Sequence, residues 1–171
     1  MIRAFYVGRF QPFHNGHIRN LQVISKEADE IVIGIGSAQK SHLPANPFTA
    51  GERIEMISKA LKGFRTPHYI IPLEDVEYNS LWVSHVSSMS PKFDVVYSNN
   101  PLVIQLFTEA GITVRRTPLH DRDKLSGTAI RKQMLDGGES DWQPLIPEAV
   151  AEVIREIKGI ERMKNLAGSD F

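Results

Sequence analysis

Ten consecutive residues near the N-terminus, 8–17 with the sequence GRFQPFHNGH, contain the residue types that bind phosphate groups. His14 and His17 are three positions apart, so their side chains share one face of a first helical turn, and Gly16 between them allows a ligand to approach the backbone closely. The unpaired N–H groups of a helix N-terminus favour an anion, and Arg9 can add a guanidinium that binds a phosphate through paired hydrogen bonds. The spacing therefore predicts an anion-binding site.

This segment lies between a strand pattern and a helix pattern, and similar alternation continues along the chain. We expect strands at 2–7, 30–35, 68–71, 95–97 and 112–114, and helices at about 16–27, 50–61, 80–89 and 101–110. Short apolar runs that alternate with helices predict an α/β fold with a Rossmann-like, doubly wound parallel sheet. After residue 120 the pattern becomes helical, so we expect C-terminal helices over about 120–166, with a last long helix that stops at Gly159.

Length and composition limit the classes of protein that the chain can represent. The 171 residues are most simply one domain, 1–171. Lys plus Arg and Asp plus Glu are both 20, so we expect no nucleic-acid partner. The absence of cysteine excludes disulfides, thiolate catalysis and cysteine-ligated zinc. No apolar run approaches the roughly 20 residues of a membrane span, and no signal-peptide pattern is present, so we expect no membrane partner and a cytoplasmic location.

A second candidate phosphate contact lies about 110 residues after the first. Ser126 or Thr128 can cap the helix that follows, the N-terminus of that helix can receive phosphate oxygens, and Arg131 adds a positive charge near its start. Ligands of open α/β sheets bind outside the carboxyl ends of the strands. We therefore expect the segments that follow the other strands to lie near both motifs: 36–48, 72–82 and 98–101.

The residues alone leave other interpretations open. A lone histidine is more often structural than functional, a Ser/Thr helix cap is common, and on pattern alone Trp82 is a core residue. A zinc site needs three or four ligands, whereas the remaining histidines are scattered along the chain, so we expect no metal ligands from the protein. These histidines are His42, His68, His85 and His120.

Both motifs resemble those of the nucleotidyltransferase superfamily, H-x-G-H at 14–17 and S-x-T-x-x-R at 126–131. Four further segments narrow the resemblance to the archaeal-type nicotinamide-nucleotide adenylyltransferases: GIGSAQ at 34–39, NPFTAGER at 46–53, NSLW at 79–82 and YSNNPL at 97–102. The similarity covers about residues 2–166. It implies adenylyl transfer from ATP to nicotinamide mononucleotide (NMN), which gives NAD and pyrophosphate in NAD biosynthesis, with a Mg²⁺ ion carried on the phosphates.

The resemblance also implies roles for individual residues. It makes His14, His17, Arg9 and Arg131 catalytic, as groups that stabilise charge on the transferring phosphate. It places ATP and its phosphates against Gly8, Phe10, Gln11, Gly16, Gly36, Ser98, Asn100, Ser126 and Thr128. It places NMN against Phe13, Ser37, Phe48, Asp75, Val76, Asn79 and Trp82, with the indole stacked on the nicotinamide ring. No general base is needed, because a phosphate nucleophile is largely dianionic at neutral pH.

Three points remain alternatives at this stage. Another small-molecule adenylyl- or cytidylyltransferase of this fold would use a pantetheine-phosphate, glycerol-phosphate or flavin-nucleotide acceptor, although Trp82 and Asn79 favour a flat carboxamide ring. A non-catalytic nucleotide-binding module is less favoured, because His17, Arg9 and Arg131 are all present. The mixed-charge run 120–124 is a solvated loop by default, and the resemblance allows a phosphate or adenine contact from Arg122. The family also implies a homo-oligomer whose partners are small-molecule nucleotides.

One residue departs from the family pattern. Asn99 stands where a glycine is expected after Ser98. A glycine there would allow a positive φ, which asparagine tolerates less well. The geometry of this loop is therefore open.

Overall fold

The computed structural model describes residues 1–118 and 121–168, so His120 lies outside the described residues. Five strands form a sheet in which every pairing is parallel and the order is β3-β2-β1-β4-β5. The strands are β1 (Arg3–Gly8), β2 (Glu30–Ile35), β3 (His68–Pro72), β4 (Val95–Tyr97) and β5 (Thr113–Arg115). The strand order reverses at β1, so the predicted doubly wound α/β sheet is confirmed.

Eight α-helices occupy the described residues. They are α1 (Asn15–Ile24), α2 (Ala50–Ala60), α3 (Trp82–Met89), α4 (Pro101–Glu109), α5 (Gly127–Asp136), α6 (Glu139–Trp142), α7 (Glu148–Glu156) and α8 (Gly159–Leu166). Two 3-10 turns, Asn79–Leu81 and Gln143–Leu145, precede α3 and α7. The four predicted helices are confirmed to within a few residues, and C-terminal helices are present between residues 127 and 166. None of the helices described is long and apolar enough to cross a membrane.

Both faces of the sheet are buried, as the continuous apolar strands predict. On one face Ile31 and Ile33 pack in a core that also contains residues of α1, α2, α5, α7 and α8. On the other face Phe5 and Val32 pack with residues of α3 and α4. Side chains alternate between the faces because successive residues of a strand point in opposite directions. The C-terminal helices therefore complete the layer that holds α1 and α2.

Capping residues fix the starts of the helices near the carboxyl edge of the sheet. Thr49 and Glu52 form a capping box at α2, with each side chain bonded to the backbone N–H of the other residue. Asn100 caps α4 through hydrogen bonds from two backbone N–H groups, and Pro101 begins that helix. These helices therefore begin at defined positions beside the strand ends.

The expectation of one last long helix that stops at Gly159 is wrong. Helix α7 ends at Glu156, Lys158 takes the left-handed conformation with φ of 53°, and Gly159 begins α8. A Cβ at Gly159 would lie 3.0 Å from the Phe48 ring and 3.1 Å from a methyl group of Ile154. A side chain at this position would therefore crowd the contact of α8 with the core.

Candidate active site

Two pockets lie side by side at the carboxyl edge of the sheet, where the strand order reverses. One, of about 380 Å³, is the histidine pocket, lined in part by His14, His17, Asn20, Thr117, Ser126 and Gly127. The other, of about 420 Å³, is the tryptophan pocket, lined in part by Arg9, Gly36, Ser37, Asp75, Asn79 and Trp82. Val7, Ser98 and Asn100 line both pockets. Ligands in the two pockets would therefore be separated only by this shared wall.

The two histidines of the first motif form the N-terminal cap of α1. His14 is the N-cap residue, and its Nδ1 accepts a hydrogen bond from the Gly16 backbone N–H at 3.1 Å. Nδ1 of His17 accepts a hydrogen bond from the His14 backbone N–H at 3.0 Å. This is a capping box in which imidazoles replace the usual hydroxyl and carboxyl groups. His14 thus precedes the first turn, rather than lying within it as its spacing suggests.

These backbone contacts determine the tautomer of each ring. Because both Nδ1 atoms accept hydrogen bonds, the proton of each neutral ring is on Nε2. No hydrogen bond from the described residues reaches either Nε2 atom, and both rings line the histidine pocket. Burial lowers the pKa of His14 to about 4, and burial together with His14 lowers the pKa of His17 well below its usual value. The pair therefore offers two neutral N–H donors.

Arg131, the arginine of the second motif, is buried behind the pocket wall. Its Nη1 donates to the Gln11 carbonyl oxygen at 2.8 Å and its Nη2 to the Thr128 hydroxyl at 3.4 Å. Ser126 caps α5 by accepting a hydrogen bond from the Ala129 backbone N–H. Burial and the nearby Arg9 lower the pKa of Arg131. The guanidinium therefore joins α5 to the loop after β1, and its expected phosphate contact stays a prediction.

Three buried aromatic residues, two of them from the first motif, lie beneath the site. Phe10, Phe13 and Phe48 are buried in the core, and the Phe13 ring stacks on His17 with centroids 5.3 Å apart. Gln11 is also buried and exchanges two hydrogen bonds with the Phe48 backbone, at 3.0 and 2.9 Å. The side chains of these four residues therefore pack in the core or hold the loop, and their expected ligand contacts stay predictions.

The tryptophan pocket brings together most of the residues expected to contact NMN. Trp82 is half-buried, with its ring edge-on to Phe107 at a centroid distance of 5.6 Å. Asp75 accepts hydrogen bonds from Ser37 at 3.0 Å and from Gln39 at 3.1 Å, and Lys40 lies 3.4 Å from it. Ser37, Asp75, Val76, Asn79 and Trp82 all line this pocket. Arg9 lines it too, with its Nη1 3.5 Å from the Asn46 side-chain oxygen.

The residues expected to contact ATP divide between the pockets. Gly16, Ser98, Asn100 and Ser126 line the histidine pocket. Gly8 and Gly36, by contrast, line the tryptophan pocket. The two glycines are linked at the strand ends, because the Gly36 N–H donates to the Gly8 carbonyl oxygen at 2.9 Å. Arg122, from the charged run, lines the histidine pocket as an exposed side chain.

Asn99 does not use the positive φ that a glycine would allow. Its side-chain amide donates to the Thr117 carbonyl oxygen at 2.9 Å and to the Thr117 hydroxyl at 2.8 Å, and its side-chain oxygen accepts from the Thr117 N–H at 3.2 Å. The side-chain amide thus makes the two hydrogen bonds with the Thr117 backbone that a paired strand would make. Its contacts give the histidine pocket a fixed wall.

Sequence reasoning missed two features of the site. Arg53 belongs to a segment that resembles the family, yet one sequence does not show that its side chain donates hydrogen bonds to several backbone carbonyl oxygens. Tyr6 and Asn20 lie at the histidine pocket, where the Asn20 amide donates to the Tyr6 hydroxyl at 3.1 Å. Burial raises the pKa of Tyr6 to about 12. The only available signal for this pair was the position of Tyr6 on the first strand.

No protein metal centre is found within residues 1–118 and 121–168. No group of three or more His, Asp or Glu side chains there has the arrangement that would hold a metal ion. Asp75, the carboxylate of the tryptophan pocket, is already bonded to Ser37 and Gln39 and lies near Lys40.

The chain matches a known protein family over most of its length. Residues 5–133 match the cytidylyltransferase-like family. The nicotinamide-nucleotide adenylyltransferase of Halobacterium salinarum is 58% identical over 170 residues, which are 99% of this chain and 95% of that protein. The protein of the same name from Methanothrix thermoacetophila is 58% identical over 171 residues, which are 100% of this chain and 99% of that one.

A solved structure shares the fold at much lower sequence identity. It is the bifunctional NMN adenylyltransferase/ADP ribose pyrophosphatase of Francisella tularensis, with a TM-score of 0.73 and 17% identity. The match covers 96% of this chain and 52% of that one, so this chain spans about half the length of the bifunctional protein.

Proposed function

The chain belongs to the cytidylyltransferase-like family and, within it, to the nicotinamide-nucleotide adenylyltransferases, and we propose that it transfers the adenylyl group of ATP to NMN. The products are NAD and pyrophosphate, so the enzyme is a nucleotidyltransferase of NAD biosynthesis. The observation that supports this reaction best is the pair of adjacent pockets with one common wall. A transfer between two nucleotides needs both of them bound side by side.

We assign ATP to the histidine pocket and NMN to the tryptophan pocket. The histidine pocket has two N–H donors and the N-termini of two helices, α1 and α5, which favour an anion. The tryptophan pocket has the half-buried face of an indole and the amide of Asn79, which suit a flat ring that bears a carboxamide. With this assignment, the NMN phosphate lies at the shared wall, next to the α-phosphorus of ATP.

The reaction then needs alignment and charge stabilisation. An oxygen of the NMN phosphate bonds to the α-phosphorus of ATP, and the bond from that phosphorus to the leaving pyrophosphate breaks. The Nε2–H groups of His14 and His17 donate to oxygens of the transferring phosphate as charge develops there, and they are fixed in advance by the cap. Arg9 offers its guanidinium from the NMN side. No residue needs to remove a proton, because the nucleophile is already an anion.

Mg²⁺ is assigned to the phosphates of ATP. The described part of the chain has no carboxylate cluster for a metal, and such an arrangement suits an ion that is bound through substrate phosphates and keeps several waters. When bound, the ion neutralises charge on the polyphosphate. The side chains of this protein contribute hydrogen bonds and positive charge.

We further propose a cytoplasmic homo-oligomer whose partners are small-molecule nucleotides. The balanced charge of 20 basic and 20 acidic residues supports the absence of a nucleic-acid partner. Exposed apolar side chains at Tyr78, Leu81, Met89 and Leu102 provide surface that subunit contacts could bury.

The test of the proposed function is NAD formation by the purified protein from ATP and NMN with Mg²⁺. The acid form of NMN and the phosphates of pantetheine, glycerol and riboflavin are compared in parallel, with pyrophosphate release as the common readout. We expect NMN to be the preferred acceptor. Pyrophosphate release with another acceptor and none with NMN would show that the assignment is wrong.

A further inference from the structure

Arg53 is a fully buried cation that lies between the ends of β1 and β2. It belongs to the first turn of α2, and its exposed fraction is 0%. A guanidinium loses a large hydration energy when it is buried, so it needs a full set of hydrogen-bond acceptors. The partners of Arg53 therefore indicate what its burial achieves.

All the hydrogen bonds of the Arg53 side chain go to backbone carbonyl oxygens. Nη1 donates to Arg9 at 2.8 Å and to Gly36 at 3.0 Å, and Nε donates to Thr49 at 3.2 Å. Nη2 donates to Ser37 at 3.2 Å, and it also contacts the carbonyl oxygens of Lys40 at 3.3 Å and Ala38 at 3.5 Å. One planar group thus holds two loops that are far apart in sequence.

No carboxylate is bonded to Arg53 within the described ranges. Glu52 is next to it in sequence, but the Glu52 carboxylate is bonded to Arg162 at 2.8 Å through both oxygens and to the Thr49 N–H. Burial and the nearby Arg9 lower the pKa of Arg53 to about 10, so it stays charged at neutral pH. The positive charge therefore adds to that of Arg9 beside the pocket.

The partners of Arg53 belong to one pocket only. Arg9, Gly36 and Ser37 all line the tryptophan pocket, whereas none of the six carbonyl-bearing residues lines the histidine pocket. Ser37 has a φ of 48°, which a non-glycine residue maintains only when its surroundings hold it. Arg53 bonds the carbonyl oxygen of this strained residue directly.

We propose that Arg53 is a positioning residue for the NMN subsite, acting through the backbone of Arg9, Gly36 and Ser37. The inference rests on the proposed function, because it takes the tryptophan pocket as the place of NMN. Arg53 itself touches neither substrate. It holds the backbone of Arg9, from which the Arg9 side chain extends, and the loop at Ser37. ATP binding in the histidine pocket does not depend on Arg53.

The test compares Arg53→Lys with wild-type protein. Lysine keeps the charge, but its single ammonium group cannot reach all the carbonyl oxygens that the planar guanidinium bonds. Dissociation constants for NMN alone and for ATP alone are measured by calorimetry at a temperature where circular dichroism shows a folded variant. We expect NMN affinity to fall roughly tenfold to a hundredfold, as for displaced binding groups, and ATP affinity to change less than about twofold.

Arg162→Met is the matched control. Arg162 is also partly buried and bonded to a carbonyl oxygen, that of Pro47, and to Glu52, but it has no contact with either pocket. This variant should lower the melting temperature and leave the ratio of the NMN and ATP affinities unchanged. Arg53→Met, which removes the charge as well, should weaken NMN binding more than Arg53→Lys does.

Two results would overturn the proposal. One is an equal loss of ATP and NMN affinity, or no loss of NMN affinity, in folded Arg53→Lys. The other is failure of Arg53→Lys to fold, which would assign the residue to the fold instead. Wild-type protein that binds both nucleotides but forms no NAD would refute the proposed function, and the two affinities would still decide the role of Arg53.

Discussion

The imidazole rings of His14 and His17 are stacked with centroids 3.6 Å apart, and Nδ1 of each ring accepts a hydrogen bond from a backbone N–H. The same atoms therefore start helix α1 and fix the two Nε2–H groups in the histidine pocket. The proposed catalytic donors are thus also the cap of α1, so experiments must separate the two roles.

Substitution of His17 by glutamine separates them. Glutamine at the third helical position can still accept from the N-cap backbone, but it has no Nε2–H at the same place. We expect the stability to stay near that of wild type and turnover with saturating ATP and NMN to fall roughly 10²- to 10³-fold, as when one donor to a developing oxyanion is removed. Asn15→Ala, on the same turn and outside both pockets, is the control. Unchanged turnover in His17→Gln would remove His17 from the reaction.

Stability of the ligand-free protein should rise with pH between about 4 and 6.5. Burial holds the pKa of folded His14 near 4 and that of folded His17 well below its usual value, whereas unfolded histidine binds a proton near pH 6.5. The unfolded state therefore binds more protons in this window, and each histidine lowers the stability by up to about 1.4 kcal/mol for each pH unit of acidification. Urea unfolding at pH 7, 6 and 5 measures the slope.

The double variant His14→Asn, His17→Gln is the control for this slope. Both new residues can maintain the capping box and neither titrates. Its stability should depend much less on pH above 5. The lowered pKa of Glu52 affects stability only below its unfolded value of about 4.5, outside the measured range. An equal slope in wild type and double variant would contradict the account of the cap.

Trp82→Ala should weaken NMN binding and leave ATP binding nearly unchanged. Stacking of a base on an aromatic side chain contributes about 1–3 kcal/mol, so we expect KM for NMN to rise roughly 5- to 100-fold. Trp82 also packs on Phe107, and Trp82→Phe preserves an aromatic face with less loss of packing. Leu81→Ala, exposed and outside the pocket, should behave as wild type. Equal KM values for NMN in wild type and Trp82→Ala would exclude stacking.

Asn99→Gly should destabilise the protein, although glycine is the residue that the family pattern leads one to expect there. The Asn99 side chain makes three hydrogen bonds with Thr117, and its φ is not positive, so glycine removes contacts without relieving strain. We expect a loss of about 1–3 kcal/mol in the free energy of unfolding, measured with urea. A variant as stable as wild type would mean that water replaces the side chain at no cost.

The sequence predicted the order of strands and helices because apolar runs and capping residues are local signals. It also predicted which residues follow the strands, and the sheet brings most of them to two pockets. The burial of individual side chains was harder to predict, since a motif does not show whether Phe13 or Phe48 faces a ligand or the core. The contacts of Arg53 with Arg9, 44 residues away, depend on the folded loops and leave no local pattern. The start of α8 at Gly159 depends on packing against Phe48, which is equally non-local.

The wall that Val7, Ser98 and Asn100 form between the pockets has a consequence for the product. In the proposed arrangement each nucleotide occupies its own pocket, so the dinucleotide product, which joins them by one short linkage, binds the protein as a bivalent ligand. While one half stays bound, the other is held near its own pocket at an effective concentration of about millimolar or more. The proximity that favours bond formation thus lengthens the residence time of NAD. The product leaves only when the second half detaches before the first half rebinds, and only then can the enzyme turn over again.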